Sequence, residues 1–147
     1  MAIEWSRDLE IGVEEIDLQH RELIDRINIL LHACGEGKGS QEVRHLIAFL
    51  EDYVITHFSR EERVMRENDF PAYASHKSEH DFYVSRISEL KQLFHAEGGN
   101  IHIVLMAINA SVSWLSHHIR KTDKAIGLFL MNRAPRETAV SAGPTAA

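Results

Sequence analysis

Apolar residues recur every three or four positions through four long stretches of the chain, which is the signature of amphipathic helices. The first stretch runs from about Ile16 to Cys34 and turns Leu23, Ile27, Leu30 and Leu31 to one side. The second, from Gln41 to about Glu67, aligns Val43, Leu46, Ile47, Leu50, Val54, Phe58, Val64 and Met65, with Ser40 as expected cap and Glu42 in its first turn. The third, about Ala72 to Ala96, places Val84, Ile87, Leu90 and Phe94 on one face. Asn100 is placed to cap a fourth, which carries Ile103, Ala107, Trp114 and Leu115. Between them stand helix-breaking clusters: Gly35-Glu36-Gly37-Lys38-Gly39, Asn68-Asp69-Phe70-Pro71 and Gly98-Gly99-Asn100.

No alternating strand pattern with a hairpin turn interrupts these stretches. Four long helices joined by short connections predict an all-α fold, an antiparallel up-down-up-down four-helix bundle. The residues up to about Glu15 form an irregular N-terminal arm in this reading, held by Trp5 and Ile11. One domain is expected over residues 1–133. The small and polar residues 134–147, with two prolines, are expected to form a disordered tail.

Composition excludes several classes of function. Hydrophobic residues make up 44% and charged residues 26% of the 147, which suits one folded domain. The formal charge of −6, with no basic stripe, argues against nucleic-acid binding. Ile103 to Ile108 is the best apolar run, far short of the ~20 residues a membrane span needs. Neither an export signal nor a second cysteine to pair with Cys34 is visible, so a reduced, cytoplasmic chain is expected. What the composition leaves unexplained is its ten histidines.

Their placement points to a metal. His57 and Glu61 lie four residues apart, as do His76 and His80, so each pair occupies one helix face. His57 continues the stripe of Leu46, Leu50 and Val54; His76 and His80 lead into Val84 and Ile87; His20 precedes Leu23 and Ile27; His118 follows Trp114. A lone histidine on an apolar face is usually a satisfied core residue. Six groups from four helices would instead bury polar atoms costing about 1–3 kcal/mol each if unpaired. A metal ion removes that cost, and imidazole with carboxylate suits iron, zinc or copper. Five histidines exceed one ion's usual complement, which favours two ions with Glu61 as a bridge. Asp123 could be a second bridge, but a regular helix turns it ~140° away from His118. The helix must therefore loosen or end between Arg120 and Thr122 if Asp123 is a ligand.

Other strings compete. His76-Lys77-Ser78-Glu79-His80 matches the H-x-x-E-H of a zinc protease class. Glu42-Val43-Arg44-His45 has the E-x-x-H spacing of ferritin-like di-iron proteins, but only once. His32, His95, His102 and His117 fit no ligand spacing and read as surface residues. Tyr53, Tyr73 and Tyr83 read as packing, Asp17 and Glu62 as surface charges.

With these residues assembled, the sequence resembles the hemerythrin family in its single-domain bacterial form. The resemblance rests on Trp5, Ile11-Gly12-Val13 and Ile16-Asp17-Leu18-Gln19-His20, then His57-Phe58-Ser59-Arg60-Glu61-Glu62. It continues through Phe70-Pro71 with His76-Lys77-Ser78-Glu79-His80-Asp81-Phe82 to Trp114-Leu115-Ser116-His117-His118-Ile119 with Asp123. It implies two iron ions per chain with an oxo or hydroxo bridge. His76, His80 and His118 would hold one iron, His20 and His57 the other, with Glu61 and Asp123 bridging. The resemblance also implies His118 rather than His117 as the ligand.

Leu23, Phe58, Trp114, Leu115 and Ile119 would wall an oxygen pocket. One departure stands out: Ile126 occupies a position where family members often carry an aromatic residue. The implied function is reversible dioxygen binding by a non-enzymatic carrier or store, expected as a monomer that could deliver to an oxygen-using enzyme. A di-iron enzyme or an oxygen sensor is the alternative.

Overall fold

The computed structural model describes residues 2–133. Helix α1 spans Glu14–Gly35, α2 Gly39–Glu67 and α3 Tyr73–Glu97. A fourth rod is built of α4, Ile101–Ser113, a π-helical stretch, Trp114–Asp123, and α5, Lys124–Asn132. The fold is an all-α four-helix bundle. α1 packs on α2, α2 on α3, and α4 contacts α1, α2 and α3. No helix among the described residues is long and apolar enough to cross a membrane.

The two ends of the bundle differ. At one end Leu23, Ile27, Leu30, Val43, Leu46, Leu50, Ile87, Leu90, Ile103 and Ala107 make a continuous apolar core. Burying each large aliphatic side chain contributes about 1.5–3 kcal/mol. The five inward histidines occupy the other end, which Met65, Phe70 and Ile126 close as a second apolar cluster. The described part of the bundle therefore holds its polar centre between two apolar plugs.

Several local expectations are corrected. Val84 is 40% exposed, and Tyr83 takes the inward position instead. The inward series on α3 is His76, His80, Tyr83, Ile87 and Leu90, so Val84 falls to the flank. Ser40 caps nothing: α2 starts two residues earlier than expected, at Gly39 after Lys38, without a side-chain cap. Asn100 does cap α4, accepting from the Ile103 amide at 3.0 Å. The expected tail, 134–147, lies outside the described residues.

The N-terminal arm contains one 3₁₀ turn, Arg7–Leu9, and buries Leu9 and Ile11. Trp5 is only half-buried, with the Arg21 guanidinium 4.5 Å above its ring. Asp17, read as a surface charge, is structural. It accepts from the amides of Ile11 at 2.9 Å and Gly12 at 3.1 Å, and so ties the arm to α1. Gly12 has φ +93°, a conformation that side chains disfavour. The arm also clamps the fourth rod: Arg120 pairs with Asp8 at 2.7 Å, and Lys124 donates to the Glu10 carbonyl at 2.6 Å. At Gly127 the Ile11 backbone lies where a Cβ would stand. Gly127→Ala should therefore lower stability by about 1–3 kcal/mol, read by chemical denaturation at fixed pH. An unchanged midpoint would show that the arm yields without cost.

Candidate metal centre

Each helix delivers its part of the centre by simple periodicity. α1 contributes His20, α2 His57 and Glu61, α3 His76 and His80, and the π-helical stretch His118 and Asp123. All seven are buried. Their ligating atoms form two overlapping groups: Glu61, His76, His80, His118 and Asp123 in one, His20, His57, Glu61 and Asp123 in the other. Within each group the atoms lie within 4.8 Å of one another, and both carboxylates belong to both groups.

Glu61 stands at the centre. Its Oε1 lies 3.0 Å from His76 Nε2 and 2.9 Å from His80 Nε2, while its Oε2 lies 3.2 Å from His57 Nε2. Asp123 Oδ1 lies 3.0 Å from His76 Nε2 and 2.9 Å from His118 Nε2, and Oδ2 lies 3.1 Å from His20 Nε2. The π-helical stretch is what brings Asp123 there. Bonding from residue i to i+5 stacks residues five apart, whereas an α-helix turns them away from each other. The loosening expected between Arg120 and Thr122 thus extends over ten residues, Trp114–Asp123.

The outer nitrogens fix the rings. His57 Nδ1–H donates to Gln19 Oε1 at 2.6 Å, His80 Nδ1–H to Glu62 Oε2 at 2.7 Å, and His118 Nδ1–H to Glu79 Oε1 at 2.7 Å. Thr122 also donates to Glu79 at 3.0 Å. An imidazole that donates from Nδ1 presents the Nε2 lone pair on its other side. Three rings are thus set to present an Nε2 lone pair inward, and all five Nε2 atoms converge with the four carboxylate oxygens. His20 Nε2 and His57 Nε2 are only 3.0 Å apart. Glu61 Oε2, both Asp123 oxygens and His118 Nε2 are buried without an aligned hydrogen-bond partner among the described residues. Such a set suits metal ions, which satisfy all these lone pairs at once.

Without metal, protons must play that part. Burial alone would lower His20, His76 and His118, but the Asp123 and Glu61 carboxylates bring them up to about 9, about 9 and about 10. Burial works against the charged form of Glu61 too, yet His57, His118 and His20 hold its carboxyl well below the usual range. Metal must displace protons from raised histidines, so affinity should rise with pH up to about 10 and loading should release protons. Zinc titration of metal-free protein between about pH 6.5 and 8.5 checks this, and equal affinity at both ends would contradict it.

Aromatic rings cover the histidines. Trp114 stacks on His118 with centroids 3.7 Å apart, Phe58 on His80 at 3.9 Å and Tyr53 on His57 at 4.6 Å. Leu23, Leu115 and Ile119 are buried in the same core as Phe58 and Trp114. Ile126 packs with Met65 and Phe70, and the Phe70 ring meets His76 edge-on at 6.5 Å.

The competing strings come apart in space. Glu79 of the H-x-x-E-H string faces His118 Nδ1, and His45 pairs with Glu42 at 2.8 Å on the surface. His32, His95, His102 and His117 are exposed. Glu62, read as a surface charge, instead supports His80. Gln19 and Glu79 were missed as supports altogether. Each of the three neighbours a centre residue in sequence, and that adjacency is the signal that could have found them.

Comparison with known proteins agrees with this architecture. The hemerythrin HHE cation binding domain family matches residues 11–127. The chain belongs to the hemerythrin family. It is 36% identical over 121 residues to a bacteriohemerythrin of Stenotrophomonas maltophilia, covering 82% of this chain and 76% of that one. A bacteriohemerythrin of Methylococcus capsulatus is 34% identical over 111 residues, or 76% of this chain and 82% of its own. One from Aquifex aeolicus is 31% identical over 126 residues, 84% and 93% of the respective chains. Hemerythrin membership implies non-haem iron, and the cluster of histidine, glutamate and aspartate suits it.

Proposed function

We propose that this hemerythrin binds dioxygen reversibly at a di-iron centre and serves as a carrier or store rather than an enzyme. The observation that supports this most is the donor set: five imidazoles and two shared carboxylates, buried together among apolar and aromatic side chains. In this reading His76, His80 and His118 hold one iron and His20 and His57 the other. Glu61 and Asp123, which belong to both donor groups, would be shared between the two irons together with an oxo or hydroxo group. Bound iron supplies the reversible ferrous–ferric electron exchange that dioxygen binding requires.

The residues of the chain account for the rest. Two imidazoles against three leave the His20–His57 position room for an exogenous ligand. Gln19, Glu62 and Glu79 keep three of the rings oriented, so uptake and release need no side chain to move. Leu23, Phe58, Trp114, Leu115 and Ile119 make the inner wall of the centre apolar, which limits water on that side and so protects against one-way oxidation.

The test is the visible spectrum of iron-loaded protein through repeated deoxygenation and oxygenation. Full recovery of the oxygenated spectrum over several cycles is expected. Rapid one-way conversion to a ferric form, with a product released, would overturn the carrier reading in favour of an enzyme. Leu115→Asn should retain oxygen binding but oxidise irreversibly about tenfold faster, since about 1.4 kcal/mol of barrier suffices. Lys38→Asn, on the exposed turn before α2, is the control. Equal rates in the two would mean that Leu115 does not shield the site.

A further inference from the structure

The supports of the histidines follow a pattern around the bundle. Gln19, beside His20 on α1, accepts from His57 on α2. Glu62, beside Glu61 on α2, accepts from His80 on α3. Glu79, beside His80 on α3, accepts from His118 on the fourth rod. One residue along a helix turns a side chain by ~100°, so each helix offers an acceptor to the ring on the next. The series does not close: Nδ1 of His20 has no partner among the described residues, and neither has Nδ1 of His76.

The acceptors are not alike. His80 and His118 each donate to a carboxylate, and both belong to the three-histidine group. In the two-histidine group His57 donates to a neutral amide, and His20 Nδ1 has no partner among the described residues. A carboxylate on Nδ1–H draws the proton outward and makes Nε2 a stronger donor to metal; an amide oxygen at the same distance does so far less. The distances of 2.6 and 2.7 Å are nearly equal, so charge rather than geometry separates the two groups.

We propose that Gln19 is a positioning residue that makes the His20–His57 position the weaker and more easily reduced of the two metal positions, by giving His57 a neutral acceptor where His80 and His118 have carboxylates. This rests on the two-metal reading above. A position that keeps its metal ferrous more readily is the one suited to taking up and releasing an exogenous ligand. Glutamate in place of Gln19 has nearly the same shape. The side chain is half-buried and borders a cleft of about 460 Å³ shared with Arg26 and Tyr53, so a carboxylate there remains hydrated.

The experiment titrates metal-free protein anaerobically with cobalt(II), following visible absorption, and measures the ferric–ferrous midpoint potentials of the iron form. Wild type should load in two separable steps. Gln19→Glu should tighten the second step about tenfold, leave the first unchanged and lower the potential of the second position. Gln19→Leu, which keeps bulk but removes the acceptor, should weaken the second step by a similar factor. Two ions bound with the second step and potentials unchanged in both variants would overturn this proposal alone. Uptake of a single ion by wild type would overturn the two-metal reading, and this proposal with it.

Discussion

Glu61→Ala should produce a folded chain that no longer retains two metal ions, and the oxygenated spectrum should vanish with the second ion. Glu61 is the residue around which the centre is arranged: its two oxygens lie within 4.0 Å of all five inward histidines. Removing it takes two donors from the set and leaves a void where His20, His57, His76 and His80 meet. Metal affinity should fall by at least the 10–100-fold seen for lesser changes at about one bond's remove. Glu61→Gln sharpens the result, because it keeps the volume and removes the charge. Metal analysis after dialysis is the measurement, with circular dichroism to show that the helices persist. Retention of two irons by Glu61→Ala would mean that Asp123 alone spans the metal positions.

That centre could be read from sequence to an unusual depth because helix periodicity and ligand chemistry impose the same spacing. His57 with Glu61 and His76 with His80 are one turn apart on a helix, and that is also the spacing that lets two side chains reach a common ion. Failures occurred where periodicity stops being informative. Val84 and Tyr83 adjoin the same stripe, and only the packing of the Tyr83 ring, stacked 4.0 Å from Trp114, decides which is buried. Asp17 and Glu62 look like ordinary surface charges, because their partners, the arm amides and His80 Nδ1, come from other segments. Gln19 and Glu79 are half-buried helix residues whose role depends on which helix lies next to them. Asp123 is the instructive case. Ideal α geometry turns it away from His118, and a local change from i+4 to i+5 bonding turns it back.

The same stretch gives the second large expected effect, which separates two adjacent histidines. His118→Ala should abolish the oxygenated spectrum, whereas His117→Ala should leave it nearly intact. His118 is buried, stacked under Trp114, held by Glu79 on one nitrogen and 2.9 Å from Asp123 on the other. Its loss removes a donor, unpairs Glu79 and leaves a cavity beside Trp114, so metal retention should fall along with oxygen binding. His117 is exposed beside it and belongs to neither group of converging donors. The pair also tests the π-helical register. Were the stretch to continue as a regular α-helix, His118 and Asp123 could not face the same metal, and losing either would leave the other's contribution intact. With the widened turn they act as one unit, so the loss in His118→Ala/Asp123→Ala should be clearly smaller than the sum of the two single losses. Metal affinity of the two single variants and the double variant completes that cycle. Strict additivity would show that the two residues do not share a metal.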